Sequence, residues 1–286
     1  MSGDTHVSAA RELWLRFETI HAVTYFGQET QTAAADLGVS GFWSGYFGLR
    51  AAPMGAVGSG AVDATFCNFA PDFVRRWVPD EWTVAPPDAF VAVRAVAAAS
   101  TLRRVAPGIV DAVSANDALA RVVARCVAAG RPLFAANREI TLPQDPVAAL
   151  WQLCTTLREH RGDGHVAALA ANGLDGLEAH VLISLERGSD PADLQRTRGW
   201  KSDDWAAAGV RLQRRGLIDA AGVLRDAGRL LRSTVETTTD ELAAAPWAGD
   251  DDAVAVVLAA LTPVARAVAT SGVIRFPNPI GLPALR

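Results

Sequence analysis

Asp190-Pro-Ala-Asp-Leu-Gln-Arg-Thr-Arg-Gly-Trp-Lys-Ser-Asp-Asp-Trp-Ala-Ala-Ala-Gly-Val-Arg-Leu-Gln-Arg-Arg-Gly216 decides how this 286-residue chain is read. Asp190-Pro191 opens a short helix that closes at Gly199, and Ser202 opens a second that stops at Arg215-Gly216. A helix over Leu174–Arg187 precedes them, and Leu217-Ile-Asp-Ala-Ala-Gly-Val-Leu224 has the makings of a tight β-hairpin. In the helix from Ser202, Trp205, Ala208, Gly209 and Leu212 share one face and mark it as inward. Asp203, Asp204, Ala207, Arg211 and Arg214 then face out. Three helices and a hairpin in this order form a winged helix-turn-helix, which holds one helix toward a DNA groove.

The charge is uneven. The whole chain carries −4, yet residues 190–232 hold nine basic side chains against six aspartates, so the module is +3 and the remainder −7. Local basicity in an acidic protein suits focal phosphate contact and excludes general coating of nucleic acid. Arg198, Lys201, Arg211, Arg214, Arg215 and Arg225 are the candidate DNA-binding residues. Recognition helices read bases with their N-terminal residues, and here that end offers aspartates and alanines. The arginines at the far end would hold backbone and specify little. The wing has no basic tip, Arg225 being the nearest candidate.

Leu212-Gln-Arg-Arg-Gly-Leu-Ile-Asp, Gly222-Val-Leu-Arg-Asp-Ala-Gly-Arg and Glu236-Thr-Thr-Thr-Asp-Glu-Leu-Ala resemble MarR-type winged-helix regulators over about 75 residues. Four other signatures resemble an actinobacterial family of poorly characterised proteins bearing this helix-turn-helix segment. They are His21-Ala-Val-Thr-Tyr-Phe, Gly41-Phe-Trp-Ser-Gly-Tyr-Phe, Leu157-Arg-Glu-His-Arg-Gly-Asp-Gly-His and Pro246-Trp247. The MarR resemblance implies a homodimer that binds duplex DNA and releases it on binding a small molecule. The acidic helix start, the clipped wing and roughly 145 additional N-terminal residues depart from that pattern.

The rest of the chain is rich in helix formers, and the expected fold is mainly all-α. Helices are predicted over 8–37, 40–52, 59–69, 71–78, 87–106, 109–129, 145–161 and 251–270, punctuated by Gly and Pro. Ser40 would cap the second. Three units follow: a helical, ligand-binding part over 1–145, the winged helix-turn-helix over 146–248, and a C-terminal helix with an extended tail over 249–286. Apolar runs look too short and interrupted for a membrane span. With no signal-peptide pattern and three widely spaced cysteines (Cys67, Cys126, Cys154), the chain reads as cytoplasmic with reduced thiols.

His21 and Tyr25 are spaced i, i+4, as are Phe42 and Tyr46, and Trp43 and Phe47. Two such helices facing each other would wall a pocket for a flat or apolar ligand, lined by His21, Tyr25, Trp43, Tyr46 and Arg50. The competing reading is an aromatic core. Glu159-His-Arg-Gly-Asp-Gly-His165 packs His160, Asp163 and His165 together, but the spacing matches no metal motif. The glycines there suggest a turn between helices, with Asp163 capping a helix that begins near His165. Gly55–Gly60 resembles a dinucleotide fingerprint but lacks a preceding strand, and no nucleophile elbow or other cofactor motif is present. An enzyme is therefore unsupported and no cofactor is indicated. Two functions stay open: a ligand-responsive, DNA-binding regulator of MarR-like type, or a small-molecule-binding protein or helical enzyme that keeps the winged helix as scaffold.

Overall fold

A computed structural model describes residues 3–78, 81–276, 278 and 282. Among them are eleven helices of eight residues or more: α1 (Gly3–His21), α2 (Gln28–Asp36), α3 (Phe42–Ala51), α4 (Pro87–Val105), α5 (Asn116–Arg125), α6 (Pro146–Ala171), α7 (Gly176–Arg187), α8 (Pro191–Arg198), α9 (Ser202–Arg214), α10 (Asp226–Ala244) and α11 (Asp251–Thr270). No strand occurs among the described residues, so the fold is mainly all-α.

α6 is the axis. Pro146 occupies its first turn, and Asp145 Oδ1 caps it by accepting from Val147 N (2.8 Å) and Ala148 N (3.0 Å). α1, α4, α5 and α10 pack around it, and α11 packs on α1. The larger core gathers side chains such as Phe47, Phe69, Phe134 and Trp151. A second core holds Leu169, Leu177, Leu182, Leu212 and Leu224 around the far end of α6. Trp200 packs against both.

Several expectations need correction. The helix expected over 8–37 is three pieces, α1, Val23–Phe26 and α2; the first break, at Ala22, keeps near-helical dihedrals (φ −62°, ψ −17°), whereas at Gly27 the backbone becomes extended (ψ 133°). α3 starts at Phe42 behind Gly41 (φ +86°), so Ser40 does not cap it. The stretch 109–129 breaks into Ile109–Ala112, a 3₁₀ turn Val113–Ala115, and α5. α11, with a mean hydropathy of 1.9, is long and apolar enough to cross a membrane by length and composition, contrary to expectation. In this fold Val254, Val257, Leu261, Val264 and Val268 are buried along it. The tail beyond Phe276 lies mostly outside the described residues.

The wing shrinks to one antiparallel bridge, Ile218 with Leu224, flanked by Asp219 N→Val223 O (2.9 Å) and Arg225 N→Leu217 O (3.0 Å). Asp219 Oδ1 accepts from Ala221 N and Val223 N and closes the loop before strands can extend.

The predicted turn at 159–165 is instead the interior of α6. Its glycines serve tertiary packing. A Cβ on Gly164 would lie 2.7 Å from Arg131 Nη1, and that guanidinium donates to the carbonyl of His160. Asp163 caps a neighbour rather than α6, accepting from Phe134 N (2.9 Å) at the start of the short helix Pro132–Arg138.

Candidate functional site

The helix-turn-helix is built on α7. Asp175 and Glu178 form a capping box at its start, with Glu178 N→Asp175 Oδ1 at 2.6 Å. α8 ends at Gly199, whose φ of +76° lets the chain turn sharply into α9. A Cβ there would meet Phe73 at 2.4 Å, so glycine also allows the turn to sit flat on the aromatic core. Trp200 Nε1 and His180 Nε2 both bond to the Asn68 carbonyl, at 3.1 and 3.0 Å.

α9 buries Ala208 and Leu212, and half-buries Trp205 and Gly209, as its periodicity predicts. Asp203, Asp204, Ala206, Ala207 and Arg214 are exposed. The six basic candidates separate into four groups. Arg214 and Arg225 are exposed and make no ion pair among the described residues. Lys201 is exposed and lies 3.5 Å from Asp72. Arg211 and Arg215 tie α9 to the entry of α7. Arg211 donates to Glu178 (2.9 Å) and Asp175 (2.7 Å), and Arg215 donates to the carbonyls of Gly173 (2.6 Å) and Asn172 (3.0 Å).

Arg198 is different. It is buried, its guanidinium lies 4.5 Å over the Phe69 ring, and its carbonyl accepts from Ala70 N. Burial thus removes it from the phosphate-facing set and makes it part of the seat of the module.

The second concentration of polar chemistry lies inside the helical body. His21 Nε2 and Tyr25 Oη are 2.7 Å apart, and His21 Nδ1 is 2.9 Å from Thr155 Oγ1. Tyr25 and Tyr46 are in ring contact, centroids 4.7 Å apart, and Tyr46 Oη accepts from Arg50 (2.9 Å). Arg50 grips Glu159 with two bonds, and Arg158 joins Glu159 (2.8 Å) to Glu18 (2.8 and 3.1 Å). Trp14 Nε1 completes the chain on Glu18 (3.1 Å). Two carboxylates and two guanidiniums balance in charge, which is what makes their burial tolerable.

Burial pushes the His21 pKa down to about 3, with nearby Arg158 adding to the effect, so the ring is neutral near pH 7. Burial likewise pushes the Tyr25 phenol up, keeping its proton on. For Glu159, burial works toward protonation but Arg158 and Arg50 outweigh it and hold the carboxyl below its usual range. Glu18 follows the same logic through Arg158.

Of the predicted pocket residues, His21, Tyr25, Tyr46 and Arg50 therefore meet. Trp43 touches Tyr46 edge-on (5.6 Å) but turns toward Phe69 and Phe73, the side that carries the helix-turn-helix. A cavity of about 320 Å³ lies between α2 and α3, walled by Tyr25, Phe42, Tyr46 and Leu49. His21 and Arg50 stand behind that wall. Sequence reasoning missed Glu18 altogether, and nothing local signalled the tie of Arg158 to it from 140 positions away.

The three candidate metal ligands do not converge. His160 packs edge-on against Phe134, Asp163 caps the helix beginning at Pro132, and His165 bonds Thr239 on α10. Among the described residues no three His, Cys, Asp or Glu side chains are grouped to hold a metal ion.

Residues 10–275 match a helix-turn-helix family. No curated protein matches the chain, and no solved structure does.

Proposed function

The chain belongs to that helix-turn-helix family, and from this premise we propose that it is a DNA-binding transcription regulator of winged-helix, MarR-like type whose helical part responds to a small molecule. The observation that carries the reading is the three-residue turn Gly199-Trp200-Lys201, which presents the outer face of α9 to solvent. In this reading α9 enters the major groove of duplex DNA. Lys201, Arg211, Arg214, Arg215 and Arg225 contact phosphates, with Arg211 and Arg215 also bracing α9. A homodimer would place two such helices one DNA turn apart.

Contact between the two halves supports ligand response. Arg198 lies on Phe69, and Phe69 packs on Tyr46 with centroids 5.5 Å apart. A ligand that moves the tyrosines shifts DNA affinity only by its difference in affinity for two seats of the module.

A second reading, a small-molecule-binding protein that retains the module as scaffold, is favoured by one observation. Asp203 and Asp204 stand exposed at the end of α9 that normally reads bases. The experiment is fluorescence anisotropy with duplex DNA from upstream of the protein's own gene, against scrambled duplex, at about 50 and 200 mM salt. Sequence-dependent binding that weakens steeply with salt establishes the regulator. Absence of binding at low salt, with the fold intact, establishes the scaffold.

A further inference from the structure

The α2–α3 cavity differs from the residues picked out by helical spacing, and its chemistry is specific. Tyr25, Phe42 and Tyr46 give it aromatic walls, and Ala34, Val39 and Leu49 give it apolar ones. Gly45 contributes no side chain opposite Ala34, and a Cβ there would stand 3.6 Å from Ala34 Cβ, so the two helices come close at this point and close one side of the cavity. Not one lining residue is charged. The guanidinium that reaches the Tyr46 hydroxyl, that of Arg50, is already committed to Glu159.

Two further lining residues are unexplained by the protein itself. Thr24 is 5% exposed and Thr30 1% exposed, and neither hydroxyl has a hydrogen-bond partner. Buried hydroxyls are nearly always satisfied, and leaving two unpaired beside one cavity costs free energy that a ligand's polar atom would recover once a χ1 rotation turns them into the cavity. Gln31 and Ala35 are exposed and Phe42 is 38% exposed, which gives the cavity a mouth.

We propose that this cavity binds an uncharged, flat aromatic molecule bearing a hydroxyl or carbonyl group, its ring against Tyr25, Tyr46 and Phe42 and its oxygen on Thr24 and Thr30. Flatness and aromaticity both follow from the three ring walls, against which a planar ring makes the most contact. Neutrality follows from the absence of a countercharge, since a carboxylate would lose its hydration without compensation. The small volume limits the ligand to one or two fused rings. His21 and Arg50 are positioning residues: their bonds to the two tyrosine hydroxyls hold the aromatic wall from behind. The inference rests on the ligand-responsive reading for its biological role. Its test uses no DNA, so either can fail alone.

The probe is 2-naphthol, titrated calorimetrically into the full chain, with 2-naphthoate as the charged comparison. The expected result is one site per chain, with naphthoate at least about tenfold weaker. Thr24→Val and Thr30→Val should each weaken naphthol by about tenfold, the scale of one neutral hydrogen bond lost in a buried site. Ala35→Trp plugs the mouth from an exposed helix position, leaves the core untouched, and should abolish binding with an unchanged circular dichroism spectrum. No saturable naphthol binding by the wild-type chain overturns the proposal, as does equal binding of naphthoate. Unaltered binding by Ala35→Trp places the ligand elsewhere and overturns it too. If both threonine variants bind normally, the hydroxyls do not reach the ligand and the assigned chemistry is wrong. Loss of DNA binding in a separate assay, with naphthol binding intact, would overturn the regulator reading alone.

Discussion

Arg50 on α3 and Glu159 on α6 face each other as a two-pronged ion pair, Nε to Oε1 at 3.0 Å and Nη2 to Oε2 at 3.1 Å, with Glu159 1% exposed. The pair fixes the ring-bearing helix α3 to the axis of the fold. Removing only one partner leaves uncompensated charge in the interior, which is more damaging than losing the attraction. Glu159→Ala strands Arg50 and leaves Arg158 paired with Glu18 alone, so the interior keeps one uncompensated positive charge, and it should destabilise the protein by about 3–5 kcal/mol. Urea unfolding of wild type and variant measures this directly. A loss below about 1 kcal/mol, the scale of an exposed pair, would show that water reaches the network.

The buried imidazoles set an acid limit. His21, His160 and His180 are each pushed down to about 3, chiefly by burial, with Arg158, Arg131 and Arg198 respectively adding to it. Their folded pKa values lie below the unfolded value of about 6.5, so their stabilisation is complete above pH 6.5 and is lost as pH falls toward 3. Asp163 has the opposite sign. Burial raises it to about 6, so its proton favours the folded state below about pH 4 and that advantage disappears as pH rises through 6. Three imidazoles outweigh one carboxyl, each costing up to about 1.4 kcal/mol per pH unit. The urea midpoint should therefore fall between pH 7 and pH 5. A midpoint that is flat or rises over this interval would mean the imidazoles are not buried neutral. His21→Gln should reduce the slope.

Gly176, in the first turn of α7, lies against the backbone that leads to Asn68. A Cβ added there would stand 1.8 Å from the carbonyl oxygen of Cys67 and 2.9 Å from Asn68 N. Backbone cannot swing aside as a flexible side chain can, so Gly176→Ala must push α7 off its seat and disturb the bonds of His180 and Trp200 to Asn68. We expect a loss of about 1–3 kcal/mol, the usual range for overpacking. Exchange protection should fall first in α7–α9, read by amide hydrogen exchange. Unchanged protection in this module would show that it is not seated through Gly176.

Local chemistry made the helix-turn-helix legible. Pro191, Gly199, Ser202 and Gly216 bracket two helices whose inward face, Ala208 and Leu212, is spaced as a helix requires. The family match over residues 10–275 agrees with that part of the reading. Long-range pairing was not legible. The glycines of 162–164 read as a breaker because sequence shows their freedom and hides Arg131, which uses the space against Gly164. Arg198 read as a phosphate ligand because nothing nearby announces that Phe69, 129 positions earlier, will cover it. The tyrosine–histidine–arginine group was visible through its i, i+4 spacing, whereas Glu159, which neutralises it, sits 109 positions from Arg50.

The exposed arginines allow phosphate contact to be separated from bracing. Arg214 is exposed near the end of α9 and makes no ion pair among the described residues, whereas Arg211 is held by Glu178 and Asp175. A free guanidinium that neutralises one phosphate releases about one counterion, and its removal lowers the slope of log K against log salt by about 1. Arg214→Ala should do this while leaving thermal stability within about 0.5 kcal/mol, as an exposed site without partners predicts. Arg211→Ala leaves the buried Glu178 carboxylate with the capping bond from Asp175 N and, as its one remaining ion-pair partner, the more distant Arg215 guanidinium at 3.6 Å, so it should lower stability by more than Arg214→Ala does. Anisotropy titrations from about 50 to 200 mM salt, paired with thermal melts, separate the two effects. If Arg214→Ala leaves the salt slope unchanged, the outer face of α9 does not lie on DNA.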